Sequence, residues 1–377
     1  MNRKHRFFWN LLRPIVIVFL FLRFGYRFKR ARNLPENYIV LSNHTTDWDP
    51  LFVGCSFRKQ MYFVASEHIA RWKFGYKLIN FLVAPILRYK GTVAAGTVMD
   101  IFRKLRAGNN VAIFAEGARS WDGVTGPILP STGKTVKSAK CGLVTYKLTG
   151  GYFVSPRWGE GLRRGHLRGE VVHIYTKEEL AAMTVDEINE IICRDLYEDA
   201  YARQEQDPKP YRGKNPAQRM ESLIYICPFC GAHETLISEK DTVFCSACGK
   251  CFTYDRYGFL HGTEQKTVKE LLAYQKQQTA RDAQENKTYY AKGGILKKVA
   301  NHIETFVAEG VVSLNKDGLS CGDVTIPVSD ILDLSIHGKR GVVFSTAREY
   351  YELIPREDAC AVKFAHLFWE HKNRLKG

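Results

Sequence analysis

Cysteines 227, 230, 245 and 248 stand in "CPFCG" and "CSACG", two Cys-x2-Cys pairs with 14 residues between them. Each pair puts two thiolates on one tight turn, and the glycine that follows lets the chain reverse. Two such turns converge on one tetrahedral metal, the pattern of a closed structural zinc ribbon. Two disulfides are the competing arrangement, but the other cysteines of the ten lie scattered without a pairing pattern, and no secretory leader is expected ahead of them. Cys227, Cys230, Cys245 and Cys248 are therefore the expected ligands of a structural zinc, and Cys251 is a bystander. A module of this kind at 221–256 divides the chain, so any larger domain must lie before or after it.

Ahead of the ribbon, short apolar runs alternate with helical patterns, which argues for an α/β domain over 37–204 with a mixed sheet flanked by helices. The expected strands are 38–42, 61–65, 110–115 and 171–176. Val98, Ile101, Phe102 and Leu105 recur at helical spacing with Gly108 as the stop, and Thr184 with Glu187 forms a capping box that opens another helix. "EQDPKPYRGKNPAQ" reads as a linker, assigned to 205–220. Beyond the ribbon lie a helical linker at 257–295 and a β-rich domain at 296–377. Its strands, Asp-Gly turn and C-terminal helix, with Val362, Ala365, Phe368 and Trp369 on one face, resemble a pleckstrin-homology-like (PH-like) sheet. "STGKT" at 131–135 is not a phosphate loop, because Ile128 occupies the place of its first glycine.

The formal charge is +16, and the first 40 residues carry nine Lys/Arg against one Glu. Charge that concentrated calls for an anionic surface. Pro14–Leu22 is apolar and bounded by Arg13 and Arg23, too short by itself to cross a bilayer core. The expectation for 1–36 is a helix in the membrane interface plus a basic segment. Phe7 and Trp9 would sit at headgroup depth, and Arg23, Arg27, Lys29, Arg30 and Arg32 would face phosphates. The partner is then an anionic phospholipid surface, reached on the cytoplasmic face by a peripheral or monotopic protein.

"VLSNHTTDWDP" sets His44 ahead of Asp47 and Asp49 just past the first strand. Asp49 before Pro50 reads as a helix N-cap whose side chain folds back over the turn, whereas Asp47 is expected to cap its own turn or face water. "NHTTDWD" fits the Asn-His-x4-Asp block of the glycerolipid acyltransferase family that includes the 1-acylglycerol-3-phosphate acyltransferases. "FAEGARS" at 114–120 resembles that family's Phe-Pro-Glu-Gly-Thr-Arg-Ser block, with Ala115 and Ala118 as departures. Arg88 in "APILRYKG" stands where an intermediate arginine falls, and "YFVSPRWG" where a final proline-containing strand is expected.

The resemblance implies transfer of a fatty acyl group from an acyl-CoA or acyl carrier protein thioester to the free hydroxyl of a lysophospholipid. The foremost product would be phosphatidic acid, made from 1-acylglycerol-3-phosphate. It makes His44 the general base and Asp49 the carboxylate that orients it. Arg88 and Arg119 would grip the acceptor phosphate. Gly117 would admit a close approach, and Glu116 would accept from the acceptor hydroxyl or hold Arg119. Arg157, Arg163, Arg164 and Arg168 are further candidates for headgroup or donor contacts. Two alternatives stand beside this: an acyltransferase remodelling another lysolipid, and a zinc-ribbon nucleic-acid-binding protein. The latter fits a pI near 9.3 but leaves the four blocks unexplained, so no nucleic acid is expected as a partner.

Overall fold

Tyr38–Ser42 (β2) is buried along its whole length, the mark of a strand inside a parallel sheet covered on both faces. It is the central strand of the first sheet. The computed structural model of the chain describes residues 3–66, 77, 80–81, 84–88, 95–300, 303–356 and 359–375. These divide into two compact units, residues 1–157 with 161–213, and residues 158–160 with 214–377. The segment expected as a linker is shared: 205–213 belongs to the first unit and 214–220 to the second. Tyr211 is buried in the first unit, with its ring 5.1 Å from that of Phe153.

The first unit's sheet also holds Arg27–Phe28 (β1), Met61–Ser66 (β3), Ile86–Arg88 (β4), Asn110–Phe114 (β5), Gly142–Thr149 (β6) and Arg168–Tyr175 (β7), in the order β1-β7-β6-β2-β5-β3-β4. β2 pairs in parallel with both β5 and β6, β3 joins β5 and β4 in parallel, and β7 runs antiparallel to β6. The sheet is mixed, as expected. One face packs Ile39, Leu41, Val111 and Leu143 against Ile101 and Leu105 of Ala95–Arg106 (α3) and Ile188, Ile192 and Leu196 of Val185–Leu196 (α7). The α7 capping box of Thr184 and Glu187 forms as predicted, and Gly108 ends α3 with φ +73°. The sequence reading does not assign β6, whose apolar run is broken by Thr145 and Lys147. The fold accommodates Thr145 by donating its hydroxyl to the buried Asp195 at 2.8 Å.

On the other face, Asp49–Ser56 (α2) packs on the sheet and Arg3–Phe24 (α1) packs on α2. α1 is far longer than its nine-residue apolar run, because the basic and aromatic residues before Pro14 continue the helix. Lys4–Phe24 is long and apolar enough to cross a membrane by length and composition. Only one side is free to do so. Leu20 and Phe24 are fully buried, Phe24 stands edge-on to Phe52 of α2, and Arg13 donates to the Cys55 carbonyl. Trp9, expected at headgroup depth, instead turns inward, where a Cβ on Gly54 would come within 3.0 Å of its ring. Phe7, Leu11, Ile15, Val18 and Leu22 are exposed and form a single stripe at i, i+4 and i+3 spacing on the opposite side. The basic residues expected to face phosphates are partly committed elsewhere. Arg23 donates to the Leu162 carbonyl, Lys29 pairs with Glu170, and Arg164 and Arg168 bond the carbonyls of Leu22 and Gly25 where α1 ends.

The second unit contains a four-stranded antiparallel ribbon sheet, Leu236–Glu239 (β8), Thr242–Cys245 (β9), Cys251–Tyr254 (β10) and Leu260–His261 (β11). The helix after it, Val268–Gln284 (α9), is a packed element: Leu271, Leu272, Gln275 and Thr279 are buried. The Gln275 side chain accepts from the Tyr225 and Ile226 amides and donates to the Leu223 carbonyl, holding the strand that leads into the first cysteine turn. An antiparallel sheet of seven strands then runs from Tyr289–Ala300 to Tyr350–Pro355, closed by Ala361–Arg374 (α10). α10 buries Phe364 and Leu367 besides Val362, Ala365 and Phe368, so more than one face is covered.

Candidate functional site

Parallel register decides which loops meet. Ser42 pairs with Phe114, and Ser66 pairs with Arg88, so the chain leaves β2, β5 and β4 at the same carboxyl edge of the sheet. His44, Glu116, Gly117 and Arg88 are therefore neighbours, although up to 73 positions separate them. Asn43 secures the edge: its side chain donates to the Leu148 carbonyl and accepts from the Leu148 amide, both at 2.8 Å, tying the end of β2 to β6.

His44 Nδ1 lies 2.9 Å from Asp49 Oδ2. Asp49 is completely buried at the first residue of α2, with Trp48 as the N-cap, so the helix starts one position earlier than the sequence suggests. Its carboxylate nevertheless folds back over the turn. Oδ2 accepts from the amides of Thr45 (2.5 Å) and Thr46 (2.9 Å), and Oδ1 from the hydroxyls of Thr45 (3.1 Å) and Thr46 (2.7 Å). Because Asp49 accepts at every contact, Nδ1 is the donor, and in the neutral imidazole the lone pair is then on Nε2. The His44 ring stacks on Phe114 with centroids 4.5 Å apart, which limits its rotation.

Glu116 does not hold Arg119, one of the two roles expected of it; its partners are backbone amides. Oε1 accepts from the His44 amide at 2.7 Å and Oε2 from the Gly126 amide at 2.6 Å, so it pins the two loops to each other. Burial pushes its carboxyl up to about 7, against the pull of those two amides. Gly117 has φ +72°, and a Cβ there would lie 3.4 Å from the Arg88 guanidinium, so the two are in contact range.

Arg119 is paired with Asp47, Nη1 to Oδ2 at 3.2 Å, rather than with Glu116. Asp47 thus has a partner outside its own turn. Arg157 is buried, donates to the Arg119 carbonyl at 2.9 Å and lies over the Trp121 ring at 4.1 Å. Arg163 bonds the Phe153 carbonyl and is buried. The stretch expected as a proline-containing strand forms a short helix, Gly151–Val154, because Gly150 at φ +79° turns the chain out of β6. Asn43, Thr45, Thr46 and Asp47 escaped sequence reasoning as site-builders. The Thr-Thr pair directly ahead of Asp47, four and three residues before Asp49, was the available signal, since short hydroxyl side chains bond nearby carboxylates.

In the second unit the four cysteine sulfurs lie within 4.8 Å of one another. Both turns have the same construction. The Gly231 amide donates to the Cys227 carbonyl and the Gly249 amide to the Cys245 carbonyl, with both glycines in the left-handed region. Cys230 and Cys245 sulfurs are 3.8 Å apart, close to the edge of a tetrahedron with metal–sulfur bonds of about 2.3 Å and far beyond a disulfide bond of about 2.05 Å. The group fits a tetrahedral metal, and none of the ten cysteines is in a disulfide.

The family model described as Acyltransferase matches residues 26–149, the stretch that holds His44, Asp49, Arg88, Glu116, Gly117 and Arg119. No curated protein matches the sequence at a meaningful level. Among solved structures, the crystal structure of the 1-acyl-sn-glycerophosphate (LPA) acyltransferase PlsC from Thermotoga maritima is similar. It is 16% identical, has a TM-score of 0.42, and the match covers 52% of this chain and 83% of that one.

The environment of Glu116 makes a testable contribution to stability. Between pH 4.5 and about 7 the folded protein keeps a proton on Glu116 that the unfolded chain has lost. Stability from this group therefore falls as pH rises through that window and levels off above it, by up to about 3 kcal/mol. Glu116→Gln should flatten this slope, measured as urea-unfolding free energy at a series of pH values. Identical slopes in both proteins would mean that Glu116 ionises normally in the fold.

Proposed function

We propose that the acyltransferase-family domain at residues 26–149 moves a fatty acyl group from an acyl thioester to the free hydroxyl of a lysophospholipid, foremost 1-acylglycerol-3-phosphate. The observation that carries this reading is the His44–Asp49 contact at the carboxyl edge of the sheet, with Nε2 left to accept a proton. His44 takes the proton of the acceptor hydroxyl as its oxygen attacks the thioester carbonyl carbon. The carbon–sulfur bond breaks, the proton passes to the departing thiolate, and an ester and a free thiol result. Asp49 holds the reacting tautomer and stabilises the imidazolium between the two transfers. Arg88 and Arg119 bind the acceptor phosphate, and the donor is an acyl-CoA or acyl carrier protein thioester.

Asp49→Asn should leave an oxygen facing His44, because the Thr45 and Thr46 amides can only donate whereas the two threonine hydroxyls can reverse to accept the new amide. What is lost is the negative charge. Turnover should fall roughly 10²–10³-fold with a small change in melting temperature, and His44→Ala should do at least as much damage. The double variant should be little worse than His44→Ala alone, because the two residues act as one unit. Near-normal turnover in folded Asp49→Asn would remove Asp49 from the mechanism.

The exposed stripe on α1 supports a peripheral, interfacial mode of membrane binding, since the opposite side of the helix is bonded to the domain and unavailable to lipid. Ile15→Asp with Val18→Asp should keep the melting temperature and abolish co-flotation with anionic vesicles. Phe24→Ala, on the buried side, should instead destabilise by about 3–5 kcal/mol. Persistent flotation of the double aspartate variant counts against the stripe as the membrane face.

We assign a structural zinc to Cys227, Cys230, Cys245 and Cys248, and read the C-terminal sheet with α10 as PH-like. The metal's chemistry is confined to cross-linking the two turns. Elemental analysis should find about one zinc per chain, lost together with thermal stability when Cys227 and Cys230 become serine. A metal-free protein that melts like the loaded one would contradict the assignment.

A further inference from the structure

Asp47 lies between the two members of the catalytic pair, yet the transfer step makes no use of it. Its side chain is 80% exposed, while Arg119, 3.2 Å away, is only 10% exposed. Arg119 Nη1 has no solvent-facing surface and no hydrogen-bond partner, so the pair is held by charge without hydrogen-bond alignment. Arg157 lies behind, on the Arg119 carbonyl and the Trp121 ring. Burial, with the Arg119 charge, pushes the Arg157 guanidinium down to about 9, so positive charge is already crowded beside Arg119. Two cations thus lie on the protein side, and one exposed carboxylate lies on the solvent side.

We propose that Asp47 is a displaceable stand-in for the acceptor's phosphate on Arg119, and is thereby a specificity-determining residue for phosphomonoester headgroups. The inference rests on the reading of this site as a lysophospholipid acyltransferase. A carboxylate this exposed loses little by swinging into water, because exposed ion pairs contribute little net free energy. A phosphomonoester dianion must either displace it or share Arg119 with it, and the like charges then repel at close range. That competition weakens dianion binding by roughly three- to tenfold. A phosphodiester headgroup carries one charge instead of two and feels it less.

The test compares wild type, Asp47→Asn and Asp47→Glu, using 1-acylglycerol-3-phosphate and a phosphodiester lysolipid of the same chain, 1-acylglycerol-3-phosphoglycerol, in vesicles. Asp47→Asn should lower KM for the phosphomonoester by roughly three- to tenfold with little change in kcat, and should lower KM for the diester by clearly less. Asp47→Glu should restore the higher value. A KM that is unchanged, raised, or shifted equally for both acceptors overturns the proposal and leaves Asp47 a part of the turn. Absence of transfer by wild type to either acceptor would instead remove the acyltransferase reading beneath it. A second measurement needs no turnover: sn-glycerol 3-phosphate at fixed concentration should raise the melting temperature of Asp47→Asn more than that of wild type. Equal shifts would again overturn the proposal.

Discussion

The parallel pairing of β2 with β5 on one side and β6 on the other is the constraint on which the first unit depends. Parallel strands leave a sheet in the same direction, so whatever follows them is gathered at one edge. Asn43 holds that edge to β6, and Glu116 draws the loop after β5 toward the amide of His44. A register slip of one residue would send His44 to the opposite face of the sheet. With both faces of β2 buried, the register is held instead by the two bonds of Asn43 to the Leu148 backbone.

Within that frame the His44 turn is organised almost wholly by acceptors inside the protein. Asp49 receives two amides, two hydroxyls and the imidazole, which leaves it no freedom to rotate. Glu116, adjoining, carries two amides in a buried setting. The two carboxyls divide the work: Asp49 sets the ring, and Glu116 sets the backbone that carries it. α2 starts at Asp49 and is itself covered by α1 through Phe24, Phe52 and Trp48. The helix that presents an apolar stripe outward is thus also part of the support beneath the site.

In the second unit, order is built on polar contacts as much as on apolar packing. Gln275 and Thr279 of α9 are fully buried, and their partners include Tyr225, whose hydroxyl also meets His366 of α10. Burial pushes the His366 imidazole down to about 3, so it stays neutral in that contact. The segment preceding the first cysteine turn is therefore fixed by two helices. Buried polar groups of this kind are favourable only when each finds a partner, which ties α9, α10 and the ribbon into one arrangement.

Much of this was legible in the sequence. The spacing of Cys227, Cys230, Cys245 and Cys248 predicts the two turns, since local geometry alone decides how a Cys-x2-Cys-Gly segment folds. Alternating apolar runs predict β2, β3, β5 and β7, and the Asp-Pro step sends Asp49 to the start of a helix with its side chain turned back. Those are short-range effects, acting within a few residues. The pairings of Arg119 with Asp47 and of Glu116 with the amides of His44 and Gly126, the inward turn of Trp9 and the strand β6 were not legible. Each depends on residues distant in the chain meeting across a sheet edge or a helix face. A side chain's partner there is chosen by strand register and burial, and neither is written in the local order of residues.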